Sequence, residues 1–186
     1  RIGLVLGTST SGITVGEAAF RIKLSKGAFP AEYNYALQEP GAISSILADL
    51  LEIKGPAYTI STACSSGARA LLAGRNLLNA GVCDAVICGG ADALCRLSVN
   101  GFFSLELLSK TICNPFSQNR NGITIGEGAC LMLLTRDEHG IKLMGAGESS
   151  DAYHFSAPDP AGVAVEAAVR AALSQARLST EQVSYI

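Results

Sequence analysis

The sequence is short of charge, of histidine and of paired cysteines, and each shortage removes a class of function. Only 16% of its 186 residues are charged and the formal net charge is −2. That leaves no electrostatic footprint for nucleic acid or an anionic membrane. No apolar run is long enough to span a bilayer, and the N-terminus has no signal-peptide layout. Six cysteines are present without one CxxC pair, and only two histidines could help them as ligands. Free thiols in a reducing cytoplasm are therefore the better reading, with neither a disulfide framework nor a metal expected. Low-complexity segments and short tandem repeats are absent as well.

What is present is apolar: a hydrophobic fraction of 48% describes a globular chain with much inward-facing surface. The length suits one domain or a compact pair of half-domains. Residues 2–7 read as a buried strand, and residues 8–12 as a turn rich in hydroxyl groups. Ile43, Ile46, Leu47, Leu50 and Leu51 recur at helical spacing, and Lys54-Gly55-Pro56 breaks that helix. A strand over 58–60, a helix over 66–79, a stop at Gly81 and a strand over 85–88 ending at Gly89-Gly90 form a βαβ unit. Such a unit predicts a parallel or mixed sheet covered by helices, an α/β fold in layers. Further on, 102–108 reads as helix, 114–122 as a polar loop, 130–134 as a buried strand and 141–145 as another. The last helix is expected over 163–178, with Glu166 and Arg170 as an i,i+4 pair. Residues 182–186 read as the start of one more strand, and residue 1 enters its strand without a lead-in, so both ends are expected to be cut.

The segment with chemical potential is Thr59-Ile60-Ser61-Thr62-Ala63-Cys64-Ser65-Ser66-Gly67-Ala68. It places a cysteine between an apolar strand and a helix, among small residues. A sharp turn there exposes the thiol, small neighbours admit a substrate, and the helix N-terminus favours a thiolate. A thiolate attacks thioesters well, and the enzyme thioester it forms can still pass its acyl group on. Backbone N–H groups at the helix start are candidate oxyanion donors. The competing reading is a buried packing cysteine, since free cysteine is among the most buried residue types.

The wider pattern decides between them. Thr62-Ala63-Cys64-Ser65-Ser66-Gly67 is followed by Cys88-Gly89-Gly90-Ala91-Asp92-Ala93, by Pro115-Phe116 through Arg120 and Gly122, and by Gly126-Glu127-Gly128-Ala129. With Gly7-Thr8-Ser9 before them, and Asp151-Ala152-Tyr153-His154 and Pro158 after, they match in order and spacing. The chain resembles the β-ketoacyl-(acyl carrier protein) synthases of fatty-acid and polyketide pathways, in the thiolase-like superfamily, over essentially its whole length. The resemblance implies a thiolase-like layered α-β-α-β-α fold, incomplete in this chain. Residues 1–138 would be most of the N-terminal ketosynthase half, and 139–186 the start of the C-terminal half.

By the same resemblance, Cys64 accepts an acyl group from an acyl carrier protein, and malonyl-carrier protein decarboxylates and attacks the resulting thioester. The two histidines and the lysine that assist this step in the family lie downstream, beyond Tyr185-Ile186, so the chain alone is not expected to condense. No cofactor and no metal are implied. The implied partners are the acyl carrier protein and a second subunit, in a homodimer or a heterodimer with a related ketosynthase; the location is cytoplasmic, with no nucleic acid or membrane involved. Phe102 matches a phenylalanine beside the family's acyl pocket, and equally fits plain core. Ser156 matches a pantetheine-tunnel hydroxyl. His154 falls on a non-catalytic family histidine, with a structural hydrogen-bonding role or a place near the substrate tunnel, and His139 reads as a surface residue. Glu127, between two glycines, reads either as a buried acid bracing the catalytic floor or as a cap or partner for a loop, with Arg120 as the candidate counter-charge. Asn121 and Ile123 depart from the acid and the aromatic usual around the loop glycine. Cys83, Cys88, Cys95, Cys113 and Cys130 read as small packing residues. Two alternatives stand beside the condensing enzyme: a non-catalytic partner like a chain-length factor, which typically lacks the cysteine, and an acyl-CoA thiolase, which the 126–129 and 151–154 segments disfavour.

Overall fold

The run Ile2–Gly7 forms β1, and its unbroken apolar character has a simple cause: the strand lies inside a sheet and is covered on both faces. In this computed structural model, which describes residues 1–155 and 157–186, the chain divides into two compact units, Arg1–Arg136 and Asp137–Ile186. The first unit holds a four-stranded sheet of order β2-β1-β3-β4, with β2 at Ala57–Ile60, β3 at Ala85–Asp92 and β4 at Gly128–Thr135. β1 pairs in parallel with β2 and β3, and β4 runs antiparallel to β3. The mixed α/β sheet expected from the βαβ pattern is present.

Side-chain alternation along β1 divides the core into two layers. Leu4 and Leu6 pack with Ala48, Ile43 and Leu47 of α2 (Ala42–Leu50) on one face. Val5 joins Val86 and Cys88 of β3 against Ala70 and Leu78 of α3 (Ser66–Asn79) on the other. Gly74 lets α3 close on the sheet, since a Cβ there would lie 2.0 Å from the Cys88 sulfur.

Several expectations need correction. The helix α1 (Ile13–Lys26) and a short 3-10 turn at Tyr35–Gln38 occupy a stretch where the sequence pattern marked no element. Apolar residues point all round α1 (Val15, Phe20 and Leu24 are exposed), so it carries no clean stripe. β3 does not stop at Gly89-Gly90 but runs to Asp92. The glycines are there for close approach: a Cβ on Gly89 would sit 1.9 Å from the carbonyl oxygen of Cys130 on β4. The helix expected over 102–108 is α4, Arg96–Ser104. It starts earlier because Glu17 of α1 accepts the Arg96 and Leu97 N–H groups at 3.1 and 2.8 Å, and so caps it.

The second unit is built on α5 (Val163–Ala176), where Arg170 Nε reaches Glu166 Oε1 at 2.7 Å as the spacing predicts. Among the described residues no strand forms at 141–145 or at 182–186. Strand character needs a ladder partner. Here Gly145 and Gly147 lie instead against α5, where Cβ atoms would come within 2.2 and 2.0 Å of the Ala172 and Ala168 carbonyl oxygens. Ala146 N–H donates to Gln175 at 2.7 Å. Thr180–Gln182 is a 3-10 turn with a Ser179–Gln182 capping box. No described helix is long and apolar enough to cross a membrane.

Candidate functional site

The C-terminal ends of the three parallel strands lie side by side, with Gly7 opposite Ile60 on one side and Gly90 on the other. α3 begins directly above them. A Cβ on Gly7 would stand 2.4 Å from the Ser66 carbonyl carbon, and one on Gly90 would be 3.5 Å from the Gly67 Cα. Glycine at position 7 is what allows the first turn of α3 to settle on the strand ends.

The connection from β2 to α3 is tight. Ala63 is in the left-handed region, at φ +53°, a conformation that costs a residue with a Cβ about 1–2 kcal/mol. Three donors hold its carbonyl: the Ser66 N–H at 3.1 Å, the Ser66 hydroxyl at 2.6 Å and the Ser9 hydroxyl at 3.1 Å. The buried Ser66 hydroxyl also accepts the Thr62 N–H at 2.9 Å, and Ser65 Oγ donates to the Thr62 carbonyl at 2.9 Å. Cys64 is the next residue after this clamp, and its side chain is exposed. That exposure departs from the packing-residue reading for Cys64, and equally for Cys130, while Cys83, Cys88 and Cys95 are buried as expected of small core residues and Cys113 is half-buried. Cys64 lies two residues before Ser66, the first residue of the 14-residue α3. The Ser66 N–H is taken up by Ala63, so an oxyanion must find its donors elsewhere in the turn.

A second polar cluster lies beside this turn, and its acid was not singled out from the sequence. One carboxylate oxygen of Asp92, the last residue of β3, accepts the N–H groups of Ser9 and Thr10 at 2.6 and 2.8 Å. The same oxygen accepts the hydroxyls of Thr8 and Thr10, both at 3.0 Å. Burial pushes this carboxyl up, but the backbone and hydroxyl donors outweigh it and hold it below the usual carboxylate range. The available signal was an acid ending an apolar strand, together with a hydroxyl-rich turn after a parallel neighbour.

Other expected residues are placed as follows. Phe102 is half-buried in α4, tied to the fold by its carbonyl, which accepts the Leu107 N–H at 3.1 Å. Ser156 lies outside the described residues. Glu127 accepts the Leu94 N–H at 3.0 Å, so it braces the loop after β3 rather than Arg120, which donates to the Ser117 carbonyl. His139 lies exposed in a bend. His154 packs on Phe155 with ring centroids 4.4 Å apart. An apolar cavity of about 410 Å³ opens between α1, α2 and the sheet, but its lining, which includes Leu6, Ile43 and Leu131, belongs to the face opposite α3 and excludes Cys64. Among the described residues no cluster of three or more histidine, cysteine or acidic side chains could hold a metal ion.

Comparison with known proteins gives this geometry its context. Residues 1–139 match the family model described as Beta-ketoacyl synthase, N-terminal domain. The whole chain aligns at 31% identity with 48% of nodulation protein E of Rhizobium meliloti, and at 32% with 37% of the chloroplastic 3-oxoacyl-[acyl-carrier-protein] synthase II of Arabidopsis thaliana. Among solved structures, a ketosynthase (ApeO) in complex with its chain length factor (ApeC) from Xenorhabdus doucetiae superposes with a TM-score of 0.92. That match is at 48% identity and covers 98% of this chain and 46% of the other. A type II polyketide synthase acyl-carrier protein in complex with its ketosynthase matches with a TM-score of 0.81 at 25% identity, covering all of this chain and 51% of the other. The chain spans about half the length of the curated relatives it matches, or less.

Proposed function

The chain belongs to the β-ketoacyl synthase family, and on that premise we propose that it supplies the acyl-cysteine part of a 3-oxoacyl-(acyl carrier protein) synthase. The observation that carries the proposal is the exposed Cys64 set immediately after the clamped left-handed Ala63 at the start of α3. The Cys64 thiolate attacks the carbonyl carbon of an acyl thioester on the carrier protein. The tetrahedral intermediate collapses, the phosphopantetheine thiol leaves with the proton that Cys64 gave up, and the acyl group remains on Cys64. Malonyl-carrier protein then loses carbon dioxide. Its carbanion attacks the Cys64 thioester, the Cys64 thiolate leaves, and the 3-oxoacyl chain stays on the second carrier.

The partners belong to the proposal too: an acyl carrier protein, and a second thiolase-fold subunit. Solved relatives of this fold include ketosynthases paired with a chain length factor, which favours the heterodimer over the homodimer, and a ketosynthase in complex with its acyl-carrier protein. The presence of Cys64 makes this chain the catalytic member of such a pair. A reducing compartment, the cytoplasm, fits its six free cysteines. Phe102 and Ser156 are proposed to line the acyl and pantetheine paths.

Mass spectrometry after incubation with acyl-carrier protein tests the central step. An acyl adduct on Cys64 is expected, with 3-oxoacyl product appearing only in the full-length protein given malonyl-carrier protein. A full-length protein that stays unmodified at Cys64 would overturn the assignment.

A further inference from the structure

We infer that Asp92 and Ser9 form a positioning relay that holds the Cys64 turn in its reactive shape, an inference that rests on the nucleophile role proposed above. The relay has two links. In the first, a single Asp92 oxygen gathers the N–H groups of Ser9 and Thr10 and the hydroxyls of Thr8 and Thr10, and so fixes the backbone of the loop that follows β1. Thr8 Oγ1 in turn accepts the Ser11 N–H at 2.9 Å, and Thr10 Oγ1 accepts the Ala93 N–H at 3.0 Å, which locks this loop to the end of β3. In the second, the Ser9 hydroxyl, on an exposed residue that water could satisfy, reaches across to the Ala63 carbonyl at 3.1 Å.

The need for this second link is local. Ala63 has a Cβ and a φ of +53°, so the turn is not the resting conformation of an alanine and must be imposed by its surroundings. Two of the three donors on its carbonyl come from Ser66, within the same turn, and would move with it. Ser9 is the donor that refers the turn to the sheet, 54 residues away in sequence. Four donors on one oxygen suit an ionised carboxylate better than a neutral group. Asp92 touches neither the thiol nor its substrate in this scheme. It acts through Ser9 and Ala63 on where the thiol points, and misplacement of a nucleophile is expressed in the rate of attack more than in binding.

The test uses the full-length protein with Ser9→Ala, Ser9→Thr, Asp92→Asn, and Ser9→Ala combined with Ala63→Gly. Two rates are read on each: acyl loading from carrier protein, and iodoacetamide alkylation of Cys64. Ser9→Ala is expected to slow both by about tenfold with the KM for carrier protein unchanged. Ser9→Thr restores the hydroxyl and the rates. Ala63→Gly, which adopts a positive φ without strain, restores most of the rate lost in Ser9→Ala. Asp92→Asn keeps an acceptor of the same shape without the charge, and falls between. Wild-type rates in Ser9→Ala overturn the relay, and so does a slow Ser9→Ala that Ala63→Gly fails to rescue. Absence of loading in the wild-type protein would overturn the proposed function, and the alkylation rates would still decide the relay.

Discussion

Cys64 and Cys88 show how one side chain takes opposite characters within a single sheet. Cys64 follows β2 at the strand ends, exposed, with the N-terminus of α3 beside it. Cys88 sits in the middle of β3, buried under the same helix, where Gly74 leaves just enough room for its sulfur. Burial first, and the neighbouring Cys83 second, push the Cys88 thiol up to about 12. The difference lies in what the backbone does at each position rather than in the cysteine. At Cys88 the strand points the side chain into the packing under α3, whereas at position 64 the cysteine follows a left-handed residue and is exposed.

The strongest way to break the comparison is to remove the exposed thiol. Cys64→Ala should abolish acyl loading completely while the circular dichroism and melting temperature stay unchanged; loading that survives in this variant assigns the nucleophile elsewhere. Next in size is selective alkylation. At pH 7 a thiol with a pKa of about 12 has on the order of one thiolate per 100,000 molecules, so Cys88 should remain unlabelled in the folded protein while Cys64 reacts within minutes. Cys130 sharpens this contrast, because it is exposed but lies in a regular strand. Labelling of Cys64 and Cys130 at the same rate would mean that exposure alone accounts for the reactivity and that the turn adds nothing.

Gly74→Ala should cost about 1–3 kcal/mol in chemical denaturation, because the new Cβ must push Cys88 and the sheet away from α3. Loading per folded molecule should change little. The smallest effect concerns pH. The folded pKa of Cys88 is raised from 9.0 to about 12, so between those values the folded state holds a proton that the unfolded state has released. Stability from this group is complete below pH 9 and is lost as pH rises towards 12. Cys88→Ala should flatten that alkaline decline in urea midpoints. Part of the slope should persist through Tyr58, whose phenol is also raised, mainly by burial and then by Cys88 and Cys83.

The parts of this architecture that could be read from sequence are those where one local pattern had one structural meaning. β1 is a continuous apolar run, α3 was bounded correctly at Ser66 and Asn79, and Cys64 lies at the strand-to-helix junction that its small neighbours announced. Where the meaning depended on a distant partner, the pattern misled. Gly89-Gly90 resembles a stop until β4 is seen pressed against it, and α4 starts where it does because Glu17, 79 residues earlier, caps it. Residues 141–145 have the composition of a strand but find no ladder partner, and Gly145 at their end lies against α5. The Asp92 cluster was hidden for the same reason, since its donors come from a loop more than 80 residues away.

Gly89 and Cys64 would score alike in any screen that counts only product. A substitution at Gly89 forces its first side-chain carbon to within 1.9 Å of a backbone oxygen on the adjacent strand, so every other amino acid there should extinguish activity as thoroughly as loss of the thiol. Yield of folded protein separates the two. Variants at 64 should accumulate as folded protein that does not load, whereas variants at 89 should be lost to proteolysis before they meet a substrate.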